Sequence, residues 1–187
     1  MPVYVRRHVP GGTYFFTLVT SRRARWLCDD PARALLHECL EEVRAARPFN
    51  IEAIVLLPDH LHTIWTLPRG DADFSTRWAA VKGLFTRRWT ARGGVEHAVT
   101  RDQFRQRRRG VWQPRFMEHA IRDGEDLIRH VEYVHHNPVR HGLAACPKDW
   151  PWSSFHRYVR EGVYDSGWCC GEAGGEVGKG VDADLLE

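Results

Sequence analysis

The order of strand and helix signals predicts an α+β protein whose antiparallel sheet carries helices on one face. Residues 11–20, 51–58 and 60–68 are rich in apolar, aromatic and β-branched side chains, which is typical of strands. Residues 31–46 and 74–91 repeat apolar side chains every three or four positions, as amphipathic helices do. A further strand and helix follow, so the element order is βαββαβ with one more helix, the ferredoxin-like plan.

Each of the first two helices presents one apolar face. The first begins at Pro31 after Asp29 and Asp30, residues that favour a helix N-terminus. Its apolar face consists of Leu35, Leu36, Cys39, Leu40 and Val43. The second helix has a comparable face made of Trp78, Val81, Leu84, Phe85 and Trp89. We therefore expect both helices to pack on the sheet through these side chains.

The segment 51–58 is apolar at consecutive positions, which predicts a central strand with both faces covered. Pro58 and Asp59 mark a tight turn, after which 60–68 returns as the partner strand. The aromatic stretch 149–159 is expected to cover an edge or an end of the sheet.

A short edge strand and a third helix complete the core of the domain. Residues 111–121 contain Pro114, which strands tolerate at their edges or ends, so the strand is expected late in this segment. Asp123 caps the third helix, and acids follow it in the first turn, where the helix dipole favours them. The helix is expected to end near Asn137, because Pro138 disfavours helical geometry at the residue before it.

The chain has 187 residues, enough for one domain, which we place at 1–168 with a basic, exposed insertion at 92–110. The glycine-rich, acidic segment 169–187 is expected to be disordered. The net charge is +3, but five of the 24 acidic side chains lie beyond residue 170 with only one of the 27 basic ones. The arginine-rich remainder is compatible with a polyanion partner or with a solvated basic surface.

Composition also limits the cellular setting. No apolar run approaches the ~20 residues that span a bilayer, and the first residues lack a signal-peptide core. The five cysteines show no CxxC spacing, which argues against a zinc site and favours a reducing compartment. We therefore expect a cytoplasmic protein that contacts no membrane.

The motif LPDHLHTIW, residues 57–65, places His60 and His62 two positions apart in a strand. Alternation along a strand directs both imidazoles to one face, with Ile64 on the same face. Their nitrogens can converge on a divalent cation, or both rings can be structural histidines that hydrogen bond within the core. The residues alone leave both interpretations open.

The third helix holds two further candidates, four residues apart. Tyr133 brings a phenol able to act as a nucleophile, and Asn137 brings an amide oxygen suited to Mg²⁺. Their spacing puts them on one helical face. The simpler interpretations are a packing tyrosine and a helix-terminal asparagine, and the spacing does not choose between them.

Four motifs, in the order GGTYFFT, LLPDHLHTIWTLP, WQPRFMEHAIR and YVHHNPVRHGL, give the chain a specific resemblance. Across about residues 4–168 it resembles the REP-associated tyrosine transposases, single-tyrosine members of the HUH nuclease superfamily. The resemblance implies a ferredoxin-like, RRM-like fold with Tyr133 as catalytic nucleophile. It also implies that His60 and His62 bind a metal with Asn137 as third ligand, a position where related insertion-sequence transposases often have glutamine.

The implied activity is nicking and joining of single-stranded DNA at hairpins of repetitive extragenic palindromes. It proceeds through a 5′-phosphotyrosine and uses Mg²⁺ or Mn²⁺. The chain is expected to act as a monomer, although insertion-sequence relatives are dimers. The alternative function is a non-catalytic regulator that binds hairpins, and a metal-dependent hydrolase that uses water is a third.

Five arginines are candidate DNA contacts, because basic side chains hold the DNA backbone while aromatic ones stack on unpaired bases. They are Arg6, Arg7, Arg87, Arg88 and Arg115. The insertion 92–110, longer than in compact relatives, is compatible with DNA contact or with a solvated loop.

Overall fold

The computed structural model describes residues 7–106 and 108–171, together with Val177 and Val181. Its strands are β1 (Thr13–Val19), β2 (Asn50–Leu56), β3 (His60–Thr66) and β4 (Met117–Ala120). Its helices are α1 (Asp30–Ala46), α2 (Phe74–Ala91), α3 (Arg101–Arg105), α4 (Gly124–Arg140) and α5 (Phe155–Arg160). Short 3₁₀ turns lie at Ser21–Arg23 and Pro147–Asp149. In this part of the chain, no helix combines the length and the apolar composition that crossing a bilayer requires.

Within the described residues, the four strands form one antiparallel sheet in the order β2-β3-β1-β4. This order, together with the helices between the strands, confirms the predicted ferredoxin-like plan and the edge position of β4. β1 pairs with β3 along its whole length and with β4 from Tyr14 to Thr17. Every residue of β1 after Thr13 is buried, in agreement with its dense run of aromatic and branched side chains.

β2 lies at an edge of the sheet, so its predicted central position is wrong. Its outer side is nevertheless closed by the chain that follows α4. There the Leu56 amide donates to the Trp152 carbonyl at 2.8 Å, and the Ser154 amide donates to the Ile54 carbonyl at 2.8 Å. The aromatic stretch 149–159 thus covers an edge, as predicted. The apolar character of β2 reflects burial of its faces and its edge rather than a central position.

The sheet has two differently built faces. The aromatic face, covered by α1 and α2, holds a large apolar cluster in which the rings of Trp65 and Trp78 stack at 4.1 Å. The opposite face, which we call the histidine face, is covered by α4 and carries a smaller apolar cluster around Phe15 and Ile64. Side chains alternate along each strand, so neighbouring residues of β3 serve opposite faces.

α4 continues through Pro138 to Arg140, so the predicted end near Asn137 is wrong. Proline removes one helical hydrogen bond, because it has no N–H group. The last turn is held by other contacts, since His141 N donates to the Asn137 carbonyl at 3.0 Å and Leu143 N donates to the Pro138 carbonyl at 2.8 Å. Burial of this turn against the sheet outweighs the local preference against proline.

Cys146 and Cys170 form a disulfide. The expectation that the cysteines are reduced is therefore wrong for this pair. Their Cα atoms lie 4.5 Å apart, because the segment after α5 returns to the segment after α4, a proximity that spacing in sequence does not reveal. Val181 is buried beside the histidine-face cluster. The remainder of the tail, residues 172–176, 178–180 and 182–187, lies outside the described residues. The disorder expected of it therefore stays a prediction.

Candidate active site

β3 presents His60 and His62 on the histidine face, as alternation predicted. Their ring centroids lie 4.9 Å apart, and both side chains are buried. In the antiparallel register His62 lies opposite Thr17, and Ile64 lies opposite Phe15. The pair therefore lies at the start of an interior strand, beneath the covering helix α4.

Each imidazole is oriented through its Nδ1 atom. His60 Nδ1 lies 2.7 Å from Asp59 Oδ1, and the other oxygen of that carboxylate accepts a hydrogen bond of 3.1 Å from Arg23. His62 Nδ1 lies 2.9 Å from Thr17 Oγ1. An Nδ1 atom held in this way leaves Nε2 for another ligand, which is how metal-binding histidines are commonly positioned.

The protonation states also suit a cation. Burial acts to raise the pKa of Asp59, but hydrogen bonds and charges from His60 and Arg23 outweigh it and lower this pKa to about 2. Burial lowers the pKa of His62 well below its usual range, and nearby positive charges, first that of His60, add to the effect. At neutral pH Asp59 is therefore a carboxylate, and His62 is a neutral imidazole with a lone pair to donate.

α4 brings Tyr133 to the histidine pair. The Tyr133 side chain is buried, and its ring lies 5.3 Å from the ring of His62 and 5.8 Å from the ring of Phe15. α4 takes this position because its apolar side, which includes Val131 and Val134, packs into the cluster on the histidine face. These distances place the ring of Tyr133 beside the imidazole of His62.

Asn137 lies one helical turn beyond Tyr133 and is fully buried. Neither its amide oxygen nor its amide nitrogen has a hydrogen-bond partner among the described residues, and the same holds for His62 Nε2. An unsatisfied buried polar atom costs about 1–3 kcal/mol, so these atoms suggest a missing ligand. Imidazole nitrogens and an amide oxygen fit Mg²⁺ or Mn²⁺. His60, His62 and Asn137 are thus suited to hold such a metal.

A second group of possible metal ligands lies between β4 and α4. Ligand atoms of His119, Asp126 and His130 lie within 4.8 Å of one another. Arg122, however, donates to both carboxylate oxygens of Asp126, at 3.0 and 3.1 Å, and the two histidine rings stack at 4.6 Å. A guanidinium on the carboxylate disfavours a second cation there. We interpret this group as an anchor for the start of α4, beside its N-cap Asp123.

Four residues at the site were not predicted as functional: Thr17, Asp59, Arg140 and His141. The Arg140 guanidinium lies 5.8 Å from the ring centroid of Tyr133, and the ring of His141 lies 5.1 Å from that of His60. Arg140 and His141 follow the α4 residues of the site at helical spacing, which was a usable signal. Thr17 required the strand register, which the sequence does not reveal.

The candidate DNA-contact arginines have different surroundings. Arg7 and Arg115 are exposed, and Arg6 lies outside the described residues. Arg87 is exposed on α2, whereas Arg88 of the same helix forms an ion pair with an acid of α1. Arg87 is therefore available to a ligand, while Arg88 is engaged within the protein.

A ferredoxin-like sheet that carries paired histidines on an interior strand and a tyrosine on the covering helix defines the class of single-tyrosine HUH nucleases. No protein-family model matches the chain. A REP-associated tyrosine transposase of Escherichia coli strain K12 is 42% identical over 168 residues, which cover 90% of this chain and 91% of the relative. The chain belongs to the REP-associated tyrosine transposases.

Two further comparisons agree with this membership. A Haemophilus influenzae protein, provisionally assigned to the same transposases, is 37% identical over 175 residues, covering 90% of this chain and 93% of the relative. A solved structure of a REP-associated tyrosine transposase bound to a REP hairpin has a TM-score of 0.76 and 40% identity. That similarity covers 96% of this chain and 98% of the solved chain.

Proposed function

We propose that the protein nicks and joins single-stranded DNA at hairpin-forming repeats through a 5′-phosphotyrosine at Tyr133. The similar transposase of known structure is bound to a REP hairpin, which supports hairpin DNA as the substrate. The observation that carries the proposal is the buried phenol of Tyr133 beside the imidazole of His62, with 5.3 Å between ring centroids. That imidazole is in turn oriented by Thr17, an arrangement that simple packing of a tyrosine does not require.

The chemical step is an in-line displacement at phosphorus. The Tyr133 oxygen forms a bond to phosphorus and loses its proton, while the bond from phosphorus to the 3′-oxygen breaks and that oxygen takes up a proton. One phosphodiester link replaces another, so attack by a 3′-hydroxyl on the phosphotyrosine rejoins the strand without a nucleotide cofactor. This reversibility suits a transposase, which must cut and join.

Arg140 supplies positive charge next to the nucleophile. Its guanidinium lies 5.8 Å from the centroid of the Tyr133 ring, within the range of a cation–π contact. In this position it can attract the phosphate that the Tyr133 oxygen attacks and offset the negative charge that develops there.

The histidine pair and Asn137 would hold Mg²⁺ or Mn²⁺. When bound, such an ion supplies Lewis-acid charge that offsets the negative charge developing on the phosphate. The role of the surrounding residues is orientation: Asp59 holds the ring of His60, and Thr17 holds the ring of His62. Burial by α4 excludes water from these groups, which strengthens their electrostatic effect.

The test is covalent trapping of a labelled hairpin that carries a single-stranded flank, with Mg²⁺ or Mn²⁺ present. Tyr133→Phe removes the attacking oxygen, so the protein–DNA adduct on a denaturing gel is expected to disappear while hairpin affinity stays within about twofold. Tyr158→Phe is the matched control, because the Tyr158 hydroxyl donates to the backbone carbonyl of Glu52 at 3.2 Å and interacts with Arg157, and its adduct should persist. The magnitude of the loss follows from removal of the nucleophile itself.

The alternatives give different outcomes in the same assay. Hairpin binding by the unchanged chain without any adduct would favour the non-catalytic regulator. Cleaved DNA that is never trapped on the protein would favour a hydrolase that uses water. An adduct that survives Tyr133→Phe would contradict the assignment of Tyr133.

A further inference from the structure

A large groove lies beside the aromatic face, between α2, the insertion 92–110 and the segment that leads into β4. It has a volume of about 920 Å³, and we call it the insertion groove. None of the residues that line it in the described part of the chain is acidic. Its basic lining residues are Arg22, Lys82, Arg87, Arg108 and Arg109. The groove is distinct from the histidine site, which lies on the other face of the sheet.

Three of these arginines are available for a ligand. Arg22, Arg87 and Arg108 are exposed, and their side chains form no ion pair or hydrogen bond with the described residues. Neighbouring arginines behave differently, since Arg88 pairs with an acid of α1 and Arg109 pairs with Glu96. Of the four described arginines that line the groove, Arg109 is thus neutralised within the protein, while Arg22, Arg87 and Arg108 are not.

The wall formed by the insertion is a folded structure rather than a loose loop. The indole of Trp89 donates to the Val95 carbonyl at 3.0 Å, and His97 N donates to the Gly110 carbonyl at 2.9 Å. A side chain at Gly110 would overlap the backbone of His97, so glycine is required for this close approach. Thr100 and Gln103 form a capping box that starts α3.

The groove reaches the active site through one short turn. In the turn Ser21–Arg23, Arg22 lines the groove, and Arg23 binds the Asp59 carboxylate that orients His60. Arg22 and Arg23 both have left-handed backbones, with φ of 54° and 51°. Such a conformation costs about 1–2 kcal/mol per residue outside glycine, and strain of this kind often accompanies a functional position.

We propose that the insertion groove binds the sugar–phosphate backbone of the same DNA molecule whose phosphate is attacked by Tyr133. The proposal rests on the proposed function, because it assigns a second contact surface to that substrate. Guanidinium groups pair with phosphate oxygens in a fork geometry, so Arg22, Arg87 and Arg108 suit a phosphate backbone. Because Arg22 lines the groove and Arg23 binds the Asp59 carboxylate beside His60, one DNA molecule could contact both sites across the Ser21–Arg23 turn.

The experiment measures DNA affinity as a function of salt concentration. Arg87→Ala combined with Arg108→Ala is compared with a control pair, Arg47→Ala with Arg69→Ala, which removes two exposed arginines outside the groove. The slope of log affinity against log salt is expected to fall by about 1.8 if two duplex phosphate contacts are lost, or about 1.4 for single-stranded contacts. Affinity near physiological salt should fall about tenfold or more for the groove pair and less than twofold for the control pair.

Two probes identify which part of the DNA occupies the groove. One is the blunt hairpin stem, and the other is the single-stranded flank alone. A loss seen with the stem assigns the groove to duplex backbone, and a loss seen with the flank assigns it to single-stranded backbone; both support the proposal. Equal affinities and equal salt slopes for the groove pair and the control pair would overturn it.

Two further measurements distinguish a failure of this proposal from a failure of the proposed function on which it rests. Arg87→Lys with Arg108→Lys keeps the charges and should retain affinity within about threefold, which shows that a loss in the alanine pair reflects charge rather than misfolding. At saturating DNA the groove variants should form as much covalent adduct as the unchanged protein. Tyr133→Phe, in contrast, should lose the adduct and keep the full salt slope, so each proposal can fail without the other.

Discussion

The two faces of one sheet have different compositions and different tasks. On the aromatic face, Trp65 and Trp78 are fully buried and stack at 4.1 Å within a large cluster of aromatic and aliphatic side chains. On the histidine face, His62 and Asn137 are equally buried, and their atoms without hydrogen-bond partners among the described residues include two that can bind a cation, His62 Nε2 and the Asn137 amide oxygen. The indole nitrogens of Trp65 and Trp78 also lack such partners, but an indole N–H can only donate. Because side chains alternate, the same strand β3 supplies Trp65 to one face and His62 to the other.

The aromatic face contributes mainly to the stability of the fold, whereas the histidine face holds the residues proposed for the chemistry. Burial of large aromatic side chains stabilises the fold by roughly 25 cal/mol for each Å² of apolar surface removed from water. Buried polar atoms without partners, which occur on both faces, act in the opposite direction, by about 1–3 kcal/mol each. The aromatic face therefore offsets the energetic burden of the histidine face and allows a preorganised polar site inside a small domain.

The largest predicted effect tests the aromatic face. Trp65→Ala should lower the free energy of unfolding by about 3–5 kcal/mol, because it removes a fully buried indole that stacks on Trp78 and contacts Phe49 at 4.0 Å between ring centroids. Urea denaturation followed by tryptophan fluorescence and circular dichroism measures this change. The control is Ile128→Ala, at a side chain that is 59% exposed on α4, where a change within about 0.5 kcal/mol is expected. Equal losses of unfolding free energy in the two variants would contradict the stabilising role assigned to the aromatic face.

The comparison also shows which features sequence patterns can predict. The faces of α1, α2 and β3 follow from local periodicity, so the positions of Trp78 and of the histidine pair were predictable from sequence. Tyr133 and Asn137 were predictable as neighbours on one helix, but their position above the sheet depends on packing of α4. The family resemblance, and not spacing, assigned them roles.

Other features depend on contacts between distant segments. The covering of the outer edge of β2 and the disulfide of Cys146 with Cys170 arise because the chain after α4 returns to the sheet. The end of α4 was mispredicted, since the local effect of Pro138 is outweighed by burial of the last turn. Thr17 and Asp59 escaped notice because their roles depend on strand register and on the geometry of one turn.

The second prediction concerns the loss of stability at low pH, to which a buried histidine of α4, the helix on the histidine face, contributes. α4 buries His135, whose side chain lies 2.8 Å from Ser154 Oγ. Burial, followed by the charge of Arg157, lowers the pKa of His135 to about 3. The folded protein therefore keeps His135 neutral at pH values where the unfolded chain protonates it. The stabilisation is complete above the unfolded pKa of about 6.5 and is lost as the pH falls from there towards about 3.

Between pH 6.5 and 4.5 this single group should reduce the free energy of unfolding by about 2 kcal/mol, since the slope approaches 1.36 kcal/mol per unit of pH below the unfolded pKa. Urea denaturation at a series of pH values gives the slope. His135→Gln cannot titrate and should flatten the slope by that amount, while changing stability little above pH 7 beyond a constant offset. An unchanged slope in His135→Gln would show that His135 does not contribute to the acid sensitivity. The Asp59 carboxylate acts mostly at lower pH, between its ordinary pKa of 3.8 and about 2.

The smallest predicted effect tests how Asp59 influences the metal affinity of the histidine face. Asp59→Asn keeps an oxygen able to accept from His60 Nδ1 but removes the negative charge that strengthens the imidazole as a donor to a metal. We expect Mn²⁺ affinity, measured by electron paramagnetic resonance on the free protein, to fall about tenfold, and about 100-fold in Asp59→Ala, which also removes the hydrogen bond. Asp30→Asn is the matched control, because Asp30 is an exposed acid in an ion pair with Arg33 on the side of α1.

The decisive result is which of the two variants, Asp59→Asn or Asp59→Ala, loses more Mn²⁺ affinity. If charge and orientation both matter, the alanine variant must bind Mn²⁺ more weakly than the asparagine variant. Both variants should lose some stability at neutral pH with the carboxylate, so Mn²⁺ affinity is compared under conditions where circular dichroism shows each variant fully folded. Equal, small losses in both variants would mean that Asp59 serves only the turn before β3. Arg23→Gln adds a finer step, since it removes the 3.1 Å hydrogen bond to the far oxygen of Asp59 while leaving the contact to His60 in place. A loss of about two- to threefold is expected, because this contact acts on the metal site only through Asp59.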